Sequence, residues 1–194
     1  MAGPLPRLVP ISRMRVTDPE TLAAARAGDQ AALEALYRDL APAVLGYLRA
    51  QGAKDAEDLA SETFVGMVRG LPRFQGDGQA FRSWLFSIAH RRVLDERRAL
   101  ARRPVEVVAP TEVPEEPGGD VEGEAMASIG TVWAREAISR LTPDQRDVVL
   151  LRVLGDLSLD EVGRILGKSV GAVKSLQRRG LVALARNLDR RGVS

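Results

Sequence analysis

The feature that most constrains this chain is a segment near its middle that cannot belong to a packed core. Between Pro104 and Glu124 the sequence has four prolines, seven acidic residues, no basic residue and the pair Gly118-Gly119. Such a segment cannot bury enough apolar surface to offset the entropy lost on ordering, so it predicts an extended, flexible linker. We therefore predict four parts in chain order: a disordered N-terminal extension (1–18), a first domain (19–103), the acidic linker (104–128) and a second domain (129–194).

The composition favours helices in both domains. Ala, Leu, Arg and Glu are abundant and are good helix formers, whereas aromatic residues make up only 4% of the chain, which argues against a β-sandwich or barrel. The chain has no cysteine and one histidine, His90, which excludes disulfides, thiolate chemistry and the usual zinc sites. We expect an all-α protein that is not an enzyme and has no metal or cofactor. Neither a signal peptide nor a membrane span is recognised, which predicts a cytoplasmic protein with no membrane partner.

Three helices are predicted in the first domain. Apolar residues recur at three- and four-residue steps in the stretches 29–50, 55–71 and 81–101. Pro42 should kink or divide the first helix. In the second, Val65 and Val68 should lie on the buried side with Leu59 and Phe64.

The second domain carries two capping boxes, which mark helix starts. They are Thr142-Pro143-Asp144-Gln145 and Ser158-Leu159-Asp160-Glu161. Gly167 is placed for the turn that ends the second of these helices, and Ser169 can cap a longer helix after it. Two helices joined by a tight glycine-containing turn, the second of them basic, predict a helix-turn-helix motif.

In such a motif the start of the second helix meets base edges in the major groove. The candidates for contact with duplex DNA share this helix start: Ser169, Val170, Gly171, Lys174, Ser175, Arg178 and Arg179. Lys174 and Arg178 lie four residues apart on one face, and Arg178 or Arg179 can make a bidentate contact to guanine. The alternative is that these residues are surface charges of a packing helix.

The first domain predicts a different kind of nucleic-acid contact. Phe74, Phe81 and Trp84 flank a glycine-rich loop and are followed by an Arg-rich stretch, and aromatic faces beside basic residues suit unpaired, stacked bases. Because Phe81 and Trp84 also stand at helical spacing, a role in the core is the alternative. His90 lies in the Arg-rich stretch and is interpreted as a phosphate or base contact rather than a catalyst.

The helix predicted over 55–71 has an acidic start, at Asp55, Glu57, Asp58 and Glu62. Negative charge at a helix N-terminus is favoured by the helix dipole. The same cluster is equally suited to docking another protein.

These motifs resemble a known family, the extracytoplasmic-function (ECF) sigma factors of the sigma-70 family. Three stretches look like sigma region 2: 55–64 (DAEDLASETF), 71–74 (LPRF) and 81–89 (FRSWLFSIA). Three others look like region 4: 141–152 (LTPDQRDVVLLR), 157–162 (LSLDEV) and 171–175 (GAVKS).

The resemblance implies a subunit that joins core RNA polymerase and gives it promoter choice. Region 2 would dock on the clamp helices of the β′ subunit through Asp55, Asp58, Leu59, Glu62 and Phe64, and region 4 would bind the β flap. Region 2 would also capture the melted −10 element with Arg73, Phe74, Phe81, Trp84, His90, Arg91 and Arg92. Region 4 would recognise the −35 element as duplex, and the acidic linker would thread toward the active-site cleft. Members of the family are frequently held by an anti-sigma factor.

The sequence departs from the family pattern at two places. His90-Arg91 stands where the family often has Asn after Ile-Ala-Arg, and Leu176-Gln177 replaces a polar residue followed by an apolar one. The second departure predicts a slightly rotated recognition helix. The alternative function is a stand-alone helix-turn-helix regulator, although such a protein has no reason to carry the stretch from Asp55 to Trp84.

Overall fold

The computed structural model describes residues 18–102 and 134–189, and the regular structure in both ranges is helical, as predicted. The elements are α1 (Pro19–Arg26), α2 (Gln30–Ala50), α3 (Ala56–Gly70), a 3₁₀ turn (Leu71–Arg73), α4 (Gly78–Arg102), α5 (Pro143–Val153), α6 (Leu159–Leu166) and α7 (Val170–Asp189). A short helical segment over residues 134–139 precedes α5. The predicted linker (104–128) and residues 1–17 of the predicted extension lie outside the described residues. None of the described helices is both long and apolar enough to cross a membrane.

The N-terminal domain (residues 18–102) starts each of its four α-helices at an aspartate. Each carboxylate accepts the backbone N–H three residues ahead, in the pairs Asp18–Thr21 (3.1 Å), Asp29–Ala32 (2.7 Å), Asp55–Asp58 (2.9 Å) and Asp77–Ala80 (2.8 Å). These bonds satisfy donors that the first helical turn leaves without a partner. Asp18, which the sequence prediction places in the disordered extension, therefore belongs to the ordered domain.

The core of the N-terminal domain lies between α2, α3 and α4. The buried apolar side chains of α2 follow a step of three to four residues: Ala32, Leu36, Leu40, Val44, Tyr47 and Leu48. Tyr47 meets Phe86 of α4 edge to face, with ring centroids 5.6 Å apart. α1 covers one side of α2 by burying Leu22 and Ala25. Together these contacts fix α4, which carries most of the predicted −10 residues.

The structure differs from the predicted helices at Pro42 and on the buried side of α3. Of the two effects predicted for Pro42, a kink or a division, the division does not occur, because α2 continues through Pro42. Pro42 and Arg38 are both exposed, so the Arg38 carbonyl that loses its helical partner can bond to water. Val65 and Val68 are each 47% exposed. The buried side of α3 is made instead by Ala56, Leu59, Thr63, Phe64 and Met67.

The C-terminal domain (residues 134–189) is a compact helix-turn-helix unit. Both predicted capping boxes are present, at the starts of α5 and α6. Its central side chains are fully buried: Val148, Leu151, Leu157, Val162 and Val173. Val173 of α7 belongs to this group, so the start of α7 is packed on one side and free on the other.

The two domains pack against each other, α2 against α5 and α4 against α6. Three hydrogen-bonded groups cross this surface, which we call the domain contact: Gln51 with Asp147, Gln79 with Glu161, and Arg82 with the carbonyls of Leu154 and Gly155. The sequence analysis does not predict this contact, since it treats the domains as separate units on a linker.

Candidate nucleic-acid and polymerase interfaces

Two glycines build the turn between α6 and α7. Gly167 adopts the left-handed conformation, with φ 63°, which favours glycine because it has no Cβ. Gly163 allows a close approach, since a Cβ there would lie 2.7 Å from the carbonyl oxygen of Lys168. After the turn, the Ser169 hydroxyl accepts the N–H of Ala172 (3.3 Å) and caps α7. The roles of Gly167 and Ser169 are predicted from the sequence, whereas that of Gly163 is not.

The residues predicted to contact duplex DNA form one surface at the start of α7, which we call the recognition face. Ser169, Val170, Gly171, Lys174, Arg178 and Arg179 are exposed, and Ser175 is half-buried. None of the ion pairs between described residues involves Lys174, Arg178 or Arg179. The recognition face therefore presents cations at the start of an α-helix. The major groove of DNA is wide enough to admit such a helix.

Phe74, Phe81 and Trp84 pack into one aromatic cluster. Phe74 stacks on Trp84 with ring centroids 5.1 Å apart and planes 26° apart, and it meets Phe81 edge to face at 5.6 Å. Phe74 and Trp84 are half-buried. Phe81 is completely buried. It therefore has the core role that its helical spacing offered as the alternative to base stacking. Only the two outer rings can therefore meet a base without repacking, and Phe81 supports them from below.

The aromatic cluster is held by two residues that the sequence analysis misses. The Arg26 guanidinium lies over the Phe74 ring, 5.3 Å from its centroid, and donates to the Gly76 carbonyl at 2.6 Å. Gly70 lets the Trp84 ring approach α3 closely, because a Cβ at Gly70 would be 2.6 Å from the ring. Both contacts join residues that are well separated in the chain, so neither contact can be predicted from a local sequence pattern.

The basic residues near the aromatic cluster differ in their surroundings. Arg73 and Arg91 are exposed. Arg92 pairs with Glu62 of α3, with 3.2 Å between nitrogen and oxygen, and so links the predicted −10 surface to the predicted polymerase surface. His90 is only 6% exposed, so in this arrangement of the domains it is out of reach of DNA.

His90 belongs to a buried hydrogen-bond network. The Gln51 amide donates to the Tyr47 hydroxyl (3.1 Å), and that hydroxyl shares a hydrogen bond with Nδ1 of His90, 2.9 Å away. Burial lowers the pKa of His90, the Asp147 carboxylate raises it, and the Arg97 guanidinium lowers it further, with a net lowering. The imidazole is therefore neutral at pH 7.

The residues predicted to bind polymerase lie in two layers of α3. Asp55 caps the helix, and Asp58 and Glu62 are exposed beside it. Leu59 and Phe64 are buried beneath them, and Phe64 supports the layer from the domain core. A protein that docks on this surface would meet the carboxylates first.

An exposed apolar groove adjoins the acidic start of α3. Its exposed walls are Tyr37 of α2 (55% exposed) and Val65 and Val68 of α3. Tyr37 meets Phe64 at its floor, with ring centroids 4.7 Å apart. Grouped, exposed apolar side chains are one feature of surfaces that bind other proteins.

Two family models match the chain in succession. The model for sigma-70 region 2 matches residues 36–103, and the model for sigma-70 region 4 matches residues 131–184. The ECF RNA polymerase sigma factor ShbA of Streptomyces griseus is 35% identical over 81% of this chain and 87% of its own length. This chain belongs to the ECF sigma factors.

Other relatives of this sigma factor cover similar shares of the chain. The ECF sigma factor BldN of Streptomyces coelicolor is 35% identical over 87% of this chain and 65% of BldN. SigD of Mycobacterium tuberculosis is 33% identical over 84% of this chain and 80% of SigD. The fold is shared with CnrH, solved in complex with the cytosolic domain of CnrY. That comparison has a TM-score of 0.63 and 24% sequence identity, and covers 90% of this chain and 99% of CnrH.

Family membership decides between the two functions that the sequence analysis considered. An ECF sigma factor directs RNA polymerase to initiate transcription at promoters. A stand-alone helix-turn-helix regulator is not favoured, because the region 2 match spans the whole stretch from Asp55 to Trp84.

Proposed function

We propose that this sigma factor uses three separate surfaces: the exposed layer of α3 for core polymerase, the aromatic cluster for the melted −10 element, and the recognition face for the −35 duplex. The observation that carries the proposal is the recognition face. Its three cations have no acidic partner among the described residues, and they follow a turn that Gly167 fixes.

At the −35 element, position and sequence would be recognised by different residues. Ser169 and the free N–H groups of the first turn of α7 suit a phosphate, which a helix N-terminus attracts. Lys174 is a flexible point charge and suits a second phosphate. Arg178 or Arg179 would contact guanine, because the planar guanidinium holds two donors in a rigid fork that matches O6 and N7.

At the −10 element, an unpaired base would stack on Trp84 or Phe74, the half-buried rings of the cluster. Arg73 and Arg91 are exposed and would neutralise the strand backbone, and aromatic rings with cations are the combination that single-strand binding uses. Phe81 would act indirectly, by supporting the two outer rings. His90 and Arg92 would reach DNA only after their present partners are released.

On polymerase, the acidic layer of α3 would meet the clamp helices of the β′ subunit, and the C-terminal domain would meet the β flap. Asp58 and Glu62 supply charge, which speeds association and fixes orientation. The neighbouring groove of Tyr37, Val65 and Val68 supplies apolar area. The factor would act as an initiation subunit without catalytic residues of its own, in the cytoplasm with the polymerase. An anti-sigma partner stays a prediction from the family.

The decisive test is transcription by core polymerase with this factor, using the promoter that the pair selects from a random library. Arg178→Ala should weaken binding and relax preference at one −35 base pair, at a cost of about 1–3 kcal/mol. The matched control is Arg186→Ala, because Arg186 is also exposed on α7 but lies two turns beyond Arg178.

Each result bears on a separate part of the proposal. If Arg178→Ala selects the same −35 sequence as the wild type, the assignment of Arg178 to base recognition is refuted. If no specific initiation occurs with the wild-type factor, the three-surface proposal itself fails.

A further inference from the structure

The loop of residues 74–77, which joins the 3₁₀ turn to α4, carries one of the two outer rings of the aromatic cluster. Its two ends are fixed locally. The Phe74 N–H donates to the Leu71 carbonyl at 3.0 Å, and the Asp77 carboxylate caps α4. The two residues between these ends are exposed, so the conformation of the loop depends on what holds its middle.

Gly76 gives the middle of the loop its shape. Its φ is 148°, and a Cβ at this position would lie 2.8 Å from Cβ of Ala80 and 2.9 Å from Cζ of Phe74. A residue with a Cβ cannot take this place without a clash. The Phe74 ring therefore packs directly against the backbone of Gly76, and the ring and the loop form one unit.

Arg26 holds this unit from 50 positions away in the chain. Its guanidinium lies over the Phe74 ring, 5.3 Å from the centroid, and Nη2 donates to the Gly76 carbonyl at 2.6 Å. A hydrogen bond from a charged donor is about twice as strong as one between neutral groups, and the quadrupole of an aromatic ring attracts a cation over its face. One side chain thus holds both the ring and the backbone of the loop.

The position of Arg26 is itself fixed, because α1 is packed on the domain core. Leu22 and Ala25 are buried, and Arg26 follows Ala25 directly as the last residue of α1. A cation at this end of a helix is favoured by the helix dipole. The guanidinium therefore acts from a rigid support.

Arg26 stands outside the place where a base would bind. A cleft of about 320 Å³ opens beside the rings, and this volume lies within the range of small-ligand sites. On the side of the N-terminal domain the cleft is lined by Phe74, Gln75, Ala80, Ser83, Trp84 and Ser87. Arg26 is not among the described residues that line it. Arg26 can therefore influence what the cleft accepts only through the loop.

We infer that Arg26 is a positioning residue for base recognition at the −10 element: it holds the loop in the conformation in which the Phe74 and Trp84 rings accept an unpaired base. The inference rests on the proposed function, which assigns these rings to the base. A loop that already has its bound conformation loses less entropy when the base binds. Without Arg26 the base would have to order the loop itself, so affinity and selectivity for the base would both fall.

A role of Arg26 as a simple charge makes a different prediction. A cation that neutralises one phosphate of a single strand adds about −0.7 to the slope of log affinity against log salt concentration. Lysine would replace arginine in that role, because both carry one positive charge. Lysine would not replace it in the positioning role, because its compact ammonium lacks the planar fork that covers a ring and also reaches a carbonyl.

The test measures how the holoenzyme, formed from core polymerase and the full-length factor, binds a fluorescent single-stranded oligonucleotide with the selected −10 sequence. Each position of that sequence is replaced in turn by an abasic site. At the most sensitive position the wild type should bind the abasic form about tenfold more weakly, or 1.4 kcal/mol. In Arg26→Ala and in Arg26→Lys this ratio should fall to about threefold or less, with affinity for the abasic form and the salt slope unchanged.

The matched control is Arg38→Ala, which removes the same charge from the same domain. Arg38 is exposed on α2 and takes no part in the cation–ring contacts between described residues, so the ratio should stay at the wild-type value. Phe74→Ala removes the ring that Arg26 covers, and Arg26→Ala should therefore have little further effect in that background. A domain that is merely less stable would bind both forms of the oligonucleotide more weakly by the same factor.

Three outcomes would overturn the inference: a wild-type ratio in Arg26→Ala, a wild-type ratio in Arg26→Lys, or effects of Arg26→Ala and Phe74→Ala that add in full. If no abasic position weakens binding by the wild type, the proposed capture of a base by the aromatic cluster fails instead. That result is distinguishable, because it needs no variant of Arg26.

Discussion

The turn before the recognition helix allows a quantitative test of how this motif is specified. Gly167 has a φ of 63°, and no atom lies within 4 Å of the position that a Cβ would take. Gly167→Ala therefore creates no steric clash with a neighbour. Its cost is the left-handed backbone alone, about 1–2 kcal/mol for a residue with a Cβ.

A cost of this size is measurable by thermal unfolding. For a chain of about 150–250 residues, 1 kcal/mol lowers Tm by roughly 2–4 °C, so Gly167→Ala should lower the Tm of the whole chain by roughly 2–8 °C. The matched control is Gly171→Ala, which also points into open space but lies inside α7. There alanine is the better helix former by up to about 1 kcal/mol, so Tm should rise.

The two variants are expected to change Tm in opposite directions, which makes the test strict. If Gly167→Ala leaves Tm unchanged, or if both variants shift it in the same direction, the left-handed conformation of residue 167 does not specify the motif. Gly171→Ala adds a second readout: it places a methyl group on the recognition face, so it should weaken duplex binding while it stabilises the fold.

Three further predictions concern the N-terminal domain. Asp58→Lys should weaken binding to core polymerase by about tenfold, or 1.4 kcal/mol, while the exposed control Asp39→Lys should not; equal affinities in fluorescence anisotropy would remove Asp58 from the docking surface. The pKa of His90 is lowered in the fold, so the folded state binds its proton less well than the unfolded state, and stability should fall as the pH drops below about 6.5. Tm measured from pH 7.5 to 5.5 should decline less steeply in His90→Gln, and parallel curves would contradict this. Gly70→Ala should cost about 1–3 kcal/mol by pushing against Trp84, and Trp84 fluorescence in a Trp133→Phe background should change with it; an unchanged spectrum and Tm would show that the ring does not depend on Gly70.

The sequence predicts the local architecture well because its signals span three or four residues. A capping box needs only Thr142 and Gln145, or Ser158 and Glu161, and both boxes are formed. Gly167 is likewise predicted from the local sequence, because the helical pattern of apolar residues ends directly before it. The helix-turn-helix motif follows from these signals without any knowledge of tertiary packing.

The domain contact could not be predicted in this way. Gln51 and Asp147 are 96 residues apart, and residues of these types are usually exposed, so their burial depends on how two finished domains meet. The same limit explains Val65 and Val68. Their apolar character suggests a core position, whereas they lie in an exposed groove beside Tyr37.

The position of Arg26 has a practical consequence for anyone who dissects this protein. The match to region 2 begins at residue 36, and a fragment cut at that boundary would keep Phe74 and Trp84. It would lose α1, and with it the guanidinium that lies over Phe74 and holds the Gly76 carbonyl. A fragment that keeps the aromatic cluster with its support from Arg26 must therefore begin no later than Asp18, which caps α1 and lies upstream of the point where homology would suggest cutting.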